Sequence, residues 1–266
     1  MKKHTLHSIQ ALKEKQEPIT ALTTYDSSFS KLLSENGIDI LLVGDSLGMV
    51  MQGHQSTVPV TMKDMVYHTQ CVAMTNQSSW IIADMPYMSY ATEKQTLNNA
   101  SKLMQAGANM VKLEGGEWLV PSIKLLKERG IPVCAHLGLT PQSVDALGGF
   151  RVQARDKQSA EKLLIDSLAI EKAGADILVL ECVPKNVAGK ITKRLKIATI
   201  GIGAGNQTDG QVLVLQDMLG LNTNFKPKFV KNFFDNDNVN NISQAIQTYV
   251  SEVKGRIFPN DEHSFK

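Results

Sequence analysis

The chain has 266 residues, 42% of them hydrophobic and 20% charged, proportions that suit a globular protein with a large core. Its 28 Lys+Arg against 26 Asp+Glu leave a formal charge of +2, which excludes the basic footprint of a nucleic-acid binder or of a protein drawn to an anionic membrane. No apolar run approaches the roughly 18 residues of a membrane span, and the basic start at Met1, Lys2 and Lys3 has no apolar stretch behind it to make a secretory signal.

Taken in chain order, short apolar runs predict strands at 19–23, 38–43, 80–83, 110–113, 132–135, 177–180, 198–202 and 211–215. Stretches with helical apolar spacing lie between most of them, among them 92–106, 117–129, 160–173 and 185–195. Strands alternating with helices build βα units and a parallel sheet, and eight such strands over this length predict a closed (β/α)₈ TIM barrel, one domain over residues 1–266. Segments 44–62 and 138–156 read as loop insertions. The Asn/Asp-rich stretch 235–241 reads as a capping turn before a final helix to about Val253, and 259–265 as a polar tail.

A partial repeat supports the barrel. Ala106-Gly-Ala-Asn-Met-Val-Lys-Leu-Glu114 echoes Ala173-Gly-Ala-Asp-Ile-Leu-Val-Leu-Glu181, and Asn36-Gly-Ile-Asp-Ile-Leu-Leu-Val-Gly-Asp45 is a slightly longer copy. In each, a Gly suited to ending a helix precedes an apolar strand, and a carboxylate follows it. A shared helix-to-strand turn explains the Gly and the apolar positions but not the three acidic ends. The cysteines, Cys71, Cys134 and Cys182, are odd in number and lack C-x-x-C spacing, so a reducing cytoplasm is expected rather than a disulfide framework.

Barrel enzymes place their chemistry at the C-terminal ends of the strands. Those ends carry Asp45 and Ser46, then Asp84, then Lys112 and Glu114, then His136 and Glu181. Period-two alternation puts Lys112 and Glu114 on one side of their strand, and a buried Lys among carboxylates must be paired. Crowded carboxylates call for a shared cation, and Asp45, Asp84 and Glu114 suit Mg²⁺ better than Zn²⁺, which prefers Cys and His. Glu181, behind an unbroken apolar strand, is left as a general base for a carbon acid. A 2-oxo acid chelated by the metal is the expected substrate, with Lys112 neutralising its carboxylate or enolate oxygen.

Each residue has a plainer alternative. Asp45 and Asp84 could be helix N-caps, His136 is as well suited to a structural role as to the site, and Cys182, on the opposite face from Glu181, reads as packing. His54, His68 and His263 lack metal-ligand spacing. Gly201-Ile-Gly-Ala-Gly-Asn206 departs from the dinucleotide-binding pattern at its last position and reads as a tight turn, with a phosphate site after the seventh strand as the alternative.

At these residues the chain resembles the ketopantoate hydroxymethyltransferase family almost end to end. The resemblance is carried by Thr24-Tyr-Asp26, Val43-Gly-Asp-Ser-Leu-Gly-Met49, Gln52-Gly-His54, Ala83-Asp-Met-Pro-Tyr87 and Gly107-Ala-Asn-Met-Val-Lys-Leu-Glu-Gly-Gly116. It continues through His136-Leu-Gly-Leu-Thr-Pro-Gln142, Leu180-Glu-Cys-Val-Pro184, Ile200-Gly-Ile-Gly-Ala-Gly205, Lys228-Phe-Val-Lys-Asn-Phe233 and His263-Ser-Phe265. The resemblance implies a barrel of the phosphoenolpyruvate/pyruvate-type superfamily. It implies transfer of a hydroxymethyl group from 5,10-methylenetetrahydrofolate to 3-methyl-2-oxobutanoate, giving 2-dehydropantoate for pantothenate and coenzyme A synthesis. By the same resemblance Asp45, Asp84 and Glu114 bind Mg²⁺, Asp45, Ser46, Asp84 and Lys112 contact the oxo acid, and Glu181 is the proton acceptor. A large homo-oligomer, a decamer of stacked rings, is implied as well. A lyase or mutase of the same superfamily, or a non-catalytic phosphate-binding barrel, are the rival readings.

Overall fold

A computed structural model describes residues 3–222, 226–235 and 239–266. Helix α1 (Leu6–Glu14) precedes strand β1 (Ile19–Thr23), and the chain then runs α2 (Ser27–Glu35), β2 (Ile40–Val43), α3 (Leu47–Val50), α4 (Met62–Thr75) and β3 (Trp80–Asp84). Next come α5 (Glu93–Gln105), β4 (Met110–Glu114), α6 (Val120–Glu128), β5 (Val133–Gly138), α7 (Lys157–Ala173) and β6 (Ile177–Glu181). The order ends with α8 (Lys185–Arg194), β7 (Ala198–Ile202), β8 (Gly210–Leu213), α9 (Leu215–Met218) and α10 (Ile242–Lys254). All eight strands pair in parallel with their neighbours, and β1 pairs with β8 to close the barrel. Among the described residues no helix is long and apolar enough to cross a membrane.

The barrel interior is layered. Ile19, Ile40, Trp80, Met110, Ile177 and Ala198, near the strand starts, pack against Ile9 of α1, which plugs that end. Above them lie Ile82, Cys134, Val179 and Ile200. The alternate residues, such as Leu22, Leu41, Ile81, Val111, Ala135 and Leu178, face outward into a second cluster shared with the surrounding helices. Both faces of each strand are therefore buried, which is why the strands read as continuous apolar runs.

The repeat seen in the sequence has a further use at the bottom of the barrel. The residue before β2, Asp39, accepts the N–H of Thr20 on β1 at 2.8 Å. Asn109 does the same for Ile81 at 3.0 Å, Asp176 for Val133 at 3.1 Å, and Asp209 for Thr199 at 2.8 Å. Each side chain satisfies a buried donor of the preceding strand that its own backbone does not reach. This is why β2 starts at Ile40 rather than at the expected 38.

Other boundaries move for similar reasons. The expected eighth strand, 211–215, ends at Leu213, because the Thr23 hydroxyl takes the N–H of Leu215 at 3.0 Å and the chain turns into α9. The insertion at 44–62 contains α3, and that at 138–156 contains a 3₁₀ turn at Pro141–Ser143. Residues 203–209, all described, form a helix-free connection between β7 and β8 with Gly203 and Gly205 at positive φ, the tight turn expected there. A Cβ on Gly203 would stand 2.9 Å from Phe229 and 3.1 Å from Phe265. The expected polar tail thus packs against the barrel, with Pro259 and Ser264 buried. Of the expected capping turn at 235–241, residues 236–238 lie outside those described, and Asn241 caps α10 by accepting the N–H of Gln244.

Candidate active site

Alternation along the strands brings one polar layer to the C-terminal mouth. Asp84 ends β3, Lys112 and Glu114 lie two apart on β4, His136 is on β5 and Glu181 ends β6. Asp45 and Ser46 follow β2 through Gly44, where a Cβ would come within 2.8 Å of the Ser46 Oγ and 3.6 Å of Asp84 Oδ2. All six predicted site residues, with His136, line one cavity of ≈ 160 Å³. Its far wall, from β6 to β8, is apolar: Val179, Ile202, Val212 and Phe229. Met49 and Phe150 sit at its opening, 38% and 53% exposed.

The Asp45 backbone N–H donates to Asp84 Oδ2 at 3.0 Å, which ties the two carboxylates side by side. Neither caps a helix: α3 follows Ser46, whose side chain makes no cap bond, and Thr92 caps α5. Lys112 Nζ lies 3.1 Å from Asp84 Oδ1 and 3.5 Å from Glu114 Oε1. His136 Nδ1 is 3.2 Å from Glu114 Oε1, and its Nε2 is 3.3 Å from Glu181 Oε2. Tyr25, fully buried, shares a hydrogen bond with Ser46 Oγ at 2.9 Å.

Burial costs every one of these charges, and their neighbours decide which survive. Burial, reinforced by Asp84 and Glu114, lifts the Asp45 carboxyl well above the usual carboxylate range. Burial also raises Asp84, although Lys112 and the Asp45 N–H oppose it. Glu114 goes the other way: Lys112 and His136, with the Gln142 N–H, overcome burial and hold it down to about 2. Burial and Lys112 oppose a charge on His136, yet the Glu114 carboxylate, its hydrogen bond and the nearby Glu181 carboxylate push the imidazole up to about 9. Lys112 Nζ also approaches His136 Nδ1 at 3.4 Å, and His136 Nε2 has no aligned hydrogen-bond partner among the described residues.

Four carboxylates against Lys112 and His136 leave two negative charges when all are ionised, the deficit one divalent cation closes. Asp84 Oδ1, fully buried, has no aligned hydrogen-bond partner among the described residues. Asp45 uses Oδ2 for a hydrogen bond from Gln142 and keeps Oδ1. Both oxygens of Glu114 are engaged, Oε1 by Lys112 and His136 and Oε2 by the Gln142 N–H at 3.1 Å. Among the described residues no three His, Cys, Asp or Glu side chains already converge as a ligand set. The pair Asp45 and Asp84 fits a hard, oxygen-preferring ion that completes its shell with water and substrate.

Cys182 is buried at φ +48, and burial raises its thiol, in keeping with the packing role expected of it. His54, His68 and His263 are not among the residues of the cavity. Sequence reasoning missed Tyr25, Gln142 and Asp217, all of which face or support the site. Tyr25 and Gln142 lie inside the blocks quoted above, but nothing in their spacing marks them, because each reaches the mouth from a loop. Asp217 lies on α9, and burial raises its carboxyl.

Comparison with known proteins matches residues 3–261 to the family model described as ketopantoate hydroxymethyltransferase. The 3-methyl-2-oxobutanoate hydroxymethyltransferase of Photorhabdus laumondii is 55% identical over 265 residues, covering 100% of both chains. That of Marinobacter nauticus is 54% identical over 262 residues, covering 98% of both. Among solved structures, a phosphonopyruvate hydrolase complex with oxalate and Mg²⁺ superposes at TM-score 0.63 with 15% identity, over 83% of this chain and 84% of that one. Oxaloacetate acetylhydrolase superposes at 0.63 and 15%, over 94% of each chain, and 2,3-dimethylmalate lyase at 0.60 and 15%, over 81% and 82%. At such identities the structural likeness speaks to the barrel fold alone.

Proposed function

The chain belongs to the ketopantoate hydroxymethyltransferase family, and on that premise we propose how its barrel mouth converts 3-methyl-2-oxobutanoate to 2-dehydropantoate. The chain is a hydroxymethyltransferase; the one-carbon donor is read as 5,10-methylenetetrahydrofolate, from the resemblance noted above. The observation that carries the mechanistic reading is the isolation of Glu181. Of the four carboxylates it alone makes no hydrogen bond or ion pair with Lys112, Gln142 or another carboxylate residue's N–H, and among the described residues it meets the other three only through His136. Its side chain is 14% exposed on the cavity, with His136 as its one charged partner among the described residues.

The oxo acid enters with its polar end toward Asp84 and Lys112 and its branched alkyl group against Val179, Ile202 and Val212. Ser46, its hydroxyl held by Tyr25, and Lys112 receive the negative end of the substrate. Asp45 and Asp84 would hold Mg²⁺, with Glu114 completing the site at one remove, and the ion would supply a Lewis acid beside the substrate carbonyl. Glu181 then removes the C3 proton, with the His136 imidazole 3.3 Å away as its charged neighbour. Water replaces the two C–N bonds at the donor's methylene carbon, its two protons going to the two nitrogens and its oxygen staying on the carbon as a formaldehyde-level carbonyl. The C3 carbon then bonds that carbon, and the oxygen takes up the proton held by Glu181 to become the hydroxyl. The donor is far larger than the cavity: drug-sized ligands occupy roughly 300 Å³ or more, so it lies across the opening by Met49 and Phe150. The same reading takes residues 1–266 as one domain of a cytoplasmic homo-oligomer, a decamer by resemblance.

Proton NMR of 3-methyl-2-oxobutanoate in D₂O tests this. Divalent-metal-dependent loss of the C3 proton signal, followed by product on adding the folate, is the expected result. A folded protein that exchanges no proton under any divalent metal would remove the carbon-acid mechanism. Cleavage of a 2-oxo-acid C–C bond without folate would favour the lyase reading instead.

A further inference from the structure

The polar layer also depends on a residue that lies on no strand and is not among those lining the cavity. Gln142, in the 3₁₀ turn after β5, is 6% exposed and joins three of the carboxylate-bearing strand ends. Its Nε2 donates to Asp45 Oδ2 at 2.8 Å and to the Met85 carbonyl, just past β3, at 2.9 Å. Its backbone N–H donates to Glu114 Oε2 at 3.1 Å. Its Oε1 accepts from the Tyr90 hydroxyl at 2.5 Å, and that hydroxyl accepts the Glu114 N–H at 3.3 Å. The Tyr90 ring in turn stacks on Trp118, with centroids 6.0 Å apart and planes 11° from parallel.

The amide has one workable orientation here. Asp45 and Met85 offer only acceptors to it, so the nitrogen must face them, and the Tyr90 hydroxyl then has the oxygen to donate to. Rotating the amide by half a turn would set its oxygen against a carboxylate and a carbonyl. Two carboxylates that would otherwise repel are therefore pinned by one residue, each through a single oxygen. The pin takes Oδ2 of Asp45 and leaves Oδ1, while the Asp45 N–H takes Oδ2 of Asp84 and leaves its Oδ1 to the Lys112 ammonium, 3.1 Å away.

We infer that Gln142 is a positioning residue of the reaction: by holding Asp45 and Glu114 in fixed orientation it presents Oδ1 of Asp45, beside the Asp84 carboxylate, to a divalent cation. Outer partners of this kind typically change metal affinity or activity by about 10- to 100-fold. The inference rests on the reading that Asp45 and Asp84 hold the ion.

Mn²⁺ binding followed by electron paramagnetic resonance separates the two. Wild-type protein that binds no Mn²⁺ refutes the metal reading itself. If it binds, Gln142→Leu, which keeps the volume and removes the donor, is expected to weaken Mn²⁺ about 10- to 100-fold. It should also slow C3 exchange at saturating metal and oxo acid by a similar factor. Tyr90→Phe keeps the stack on Trp118 and removes only the hydroxyl that orients the amide; it should weaken Mn²⁺ in the same direction by about threefold or more. A folded Gln142→Leu protein with Mn²⁺ affinity and exchange rate within twofold of wild type overturns the inference. Should that variant not fold, wild-type values in both readouts for Tyr90→Phe overturn it equally.

Discussion

Replacing Asp176 tests whether the side chains before the strands hold the barrel together. The residue is 3% exposed, accepts the Val133 N–H through Oδ2 at 3.1 Å, and accepts Lys127 Nζ through Oδ1 at 2.7 Å. In Asp176→Ala the Val133 N–H is left without its acceptor inside the barrel wall, a loss of about 1–3 kcal/mol. The Lys127 side chain is 49% exposed, so its ion pair adds little, on the order of 0.5 kcal/mol after screening. Asp176→Asn keeps an oxygen for Val133 and gives up only the ion pair. The alanine variant should therefore be less stable than the asparagine variant by about 1–3 kcal/mol, which at this size is roughly 2–10 °C in Tm. Urea denaturation with both variants and wild type, checked for reversibility, measures the difference. Equal stabilities for Ala and Asn would refute the claim that the Val133 bond carries the effect, whatever the loss relative to wild type.

Four other outcomes follow from the site and its frame. Glu181→Gln should lower C3 exchange by about 10²–10⁴-fold while the oxo acid still binds, measured by NMR exchange and calorimetry; exchange at the wild-type rate would take the base role from Glu181. Asp84→Ala should abolish metal-dependent binding of the oxo acid, and binding undiminished in the presence of Mg²⁺ would show that Asp84 is not a ligand. Lys112→Met leaves the carboxylates without their buried ammonium, and oxo-acid affinity should fall about tenfold or more; an unchanged Kd would exclude a substrate role. Although burial disfavours its charge, Asp39 is held below its ordinary 3.8 by His4 and Lys254 and by the Thr20 bonds. A depressed folded pKa gives stability that is complete well above 3.8 and lost as pH falls through the folded value. The stability gap between wild type and Asp39→Asn should therefore be constant near neutrality and shrink below about pH 4. A gap that instead grows on acidification would show the sign to be wrong.

Strand alternation and the strand-end rule made the barrel legible in advance, and with it the meeting of the six expected residues at one mouth, because both depend on local order. The period of two alone put Lys112 beside Glu114, and they stand 3.5 Å apart. The bonds that cross the molecule were not legible. Nothing near Gln142 in sequence reveals that it meets Asp45, 97 positions away, and nothing near Tyr25 reveals Ser46. The Asp and Asn of the repeat were visible as a pattern, but their acceptor role needed the neighbouring strand to be in place. The same lack of partners placed the start of β2 two residues early and the end of β8 two residues late.

The layering of the barrel interior has a kinetic consequence. Beneath Asp84, Lys112, His136 and Glu181 lie Ile82, Met110, Cys134 and Val179, with Ile9 sealing the far end. Hydrocarbon of that depth relays no protons, so a proton taken by Glu181 can reach bulk water only through the mouth, which the substrate itself obstructs. Some of the protons removed from C3 should then be handed back before they escape. Isotope washout into solvent would consequently run slower than the abstraction it reports, and a bulkier ligand across the opening should widen that gap by favouring return over escape.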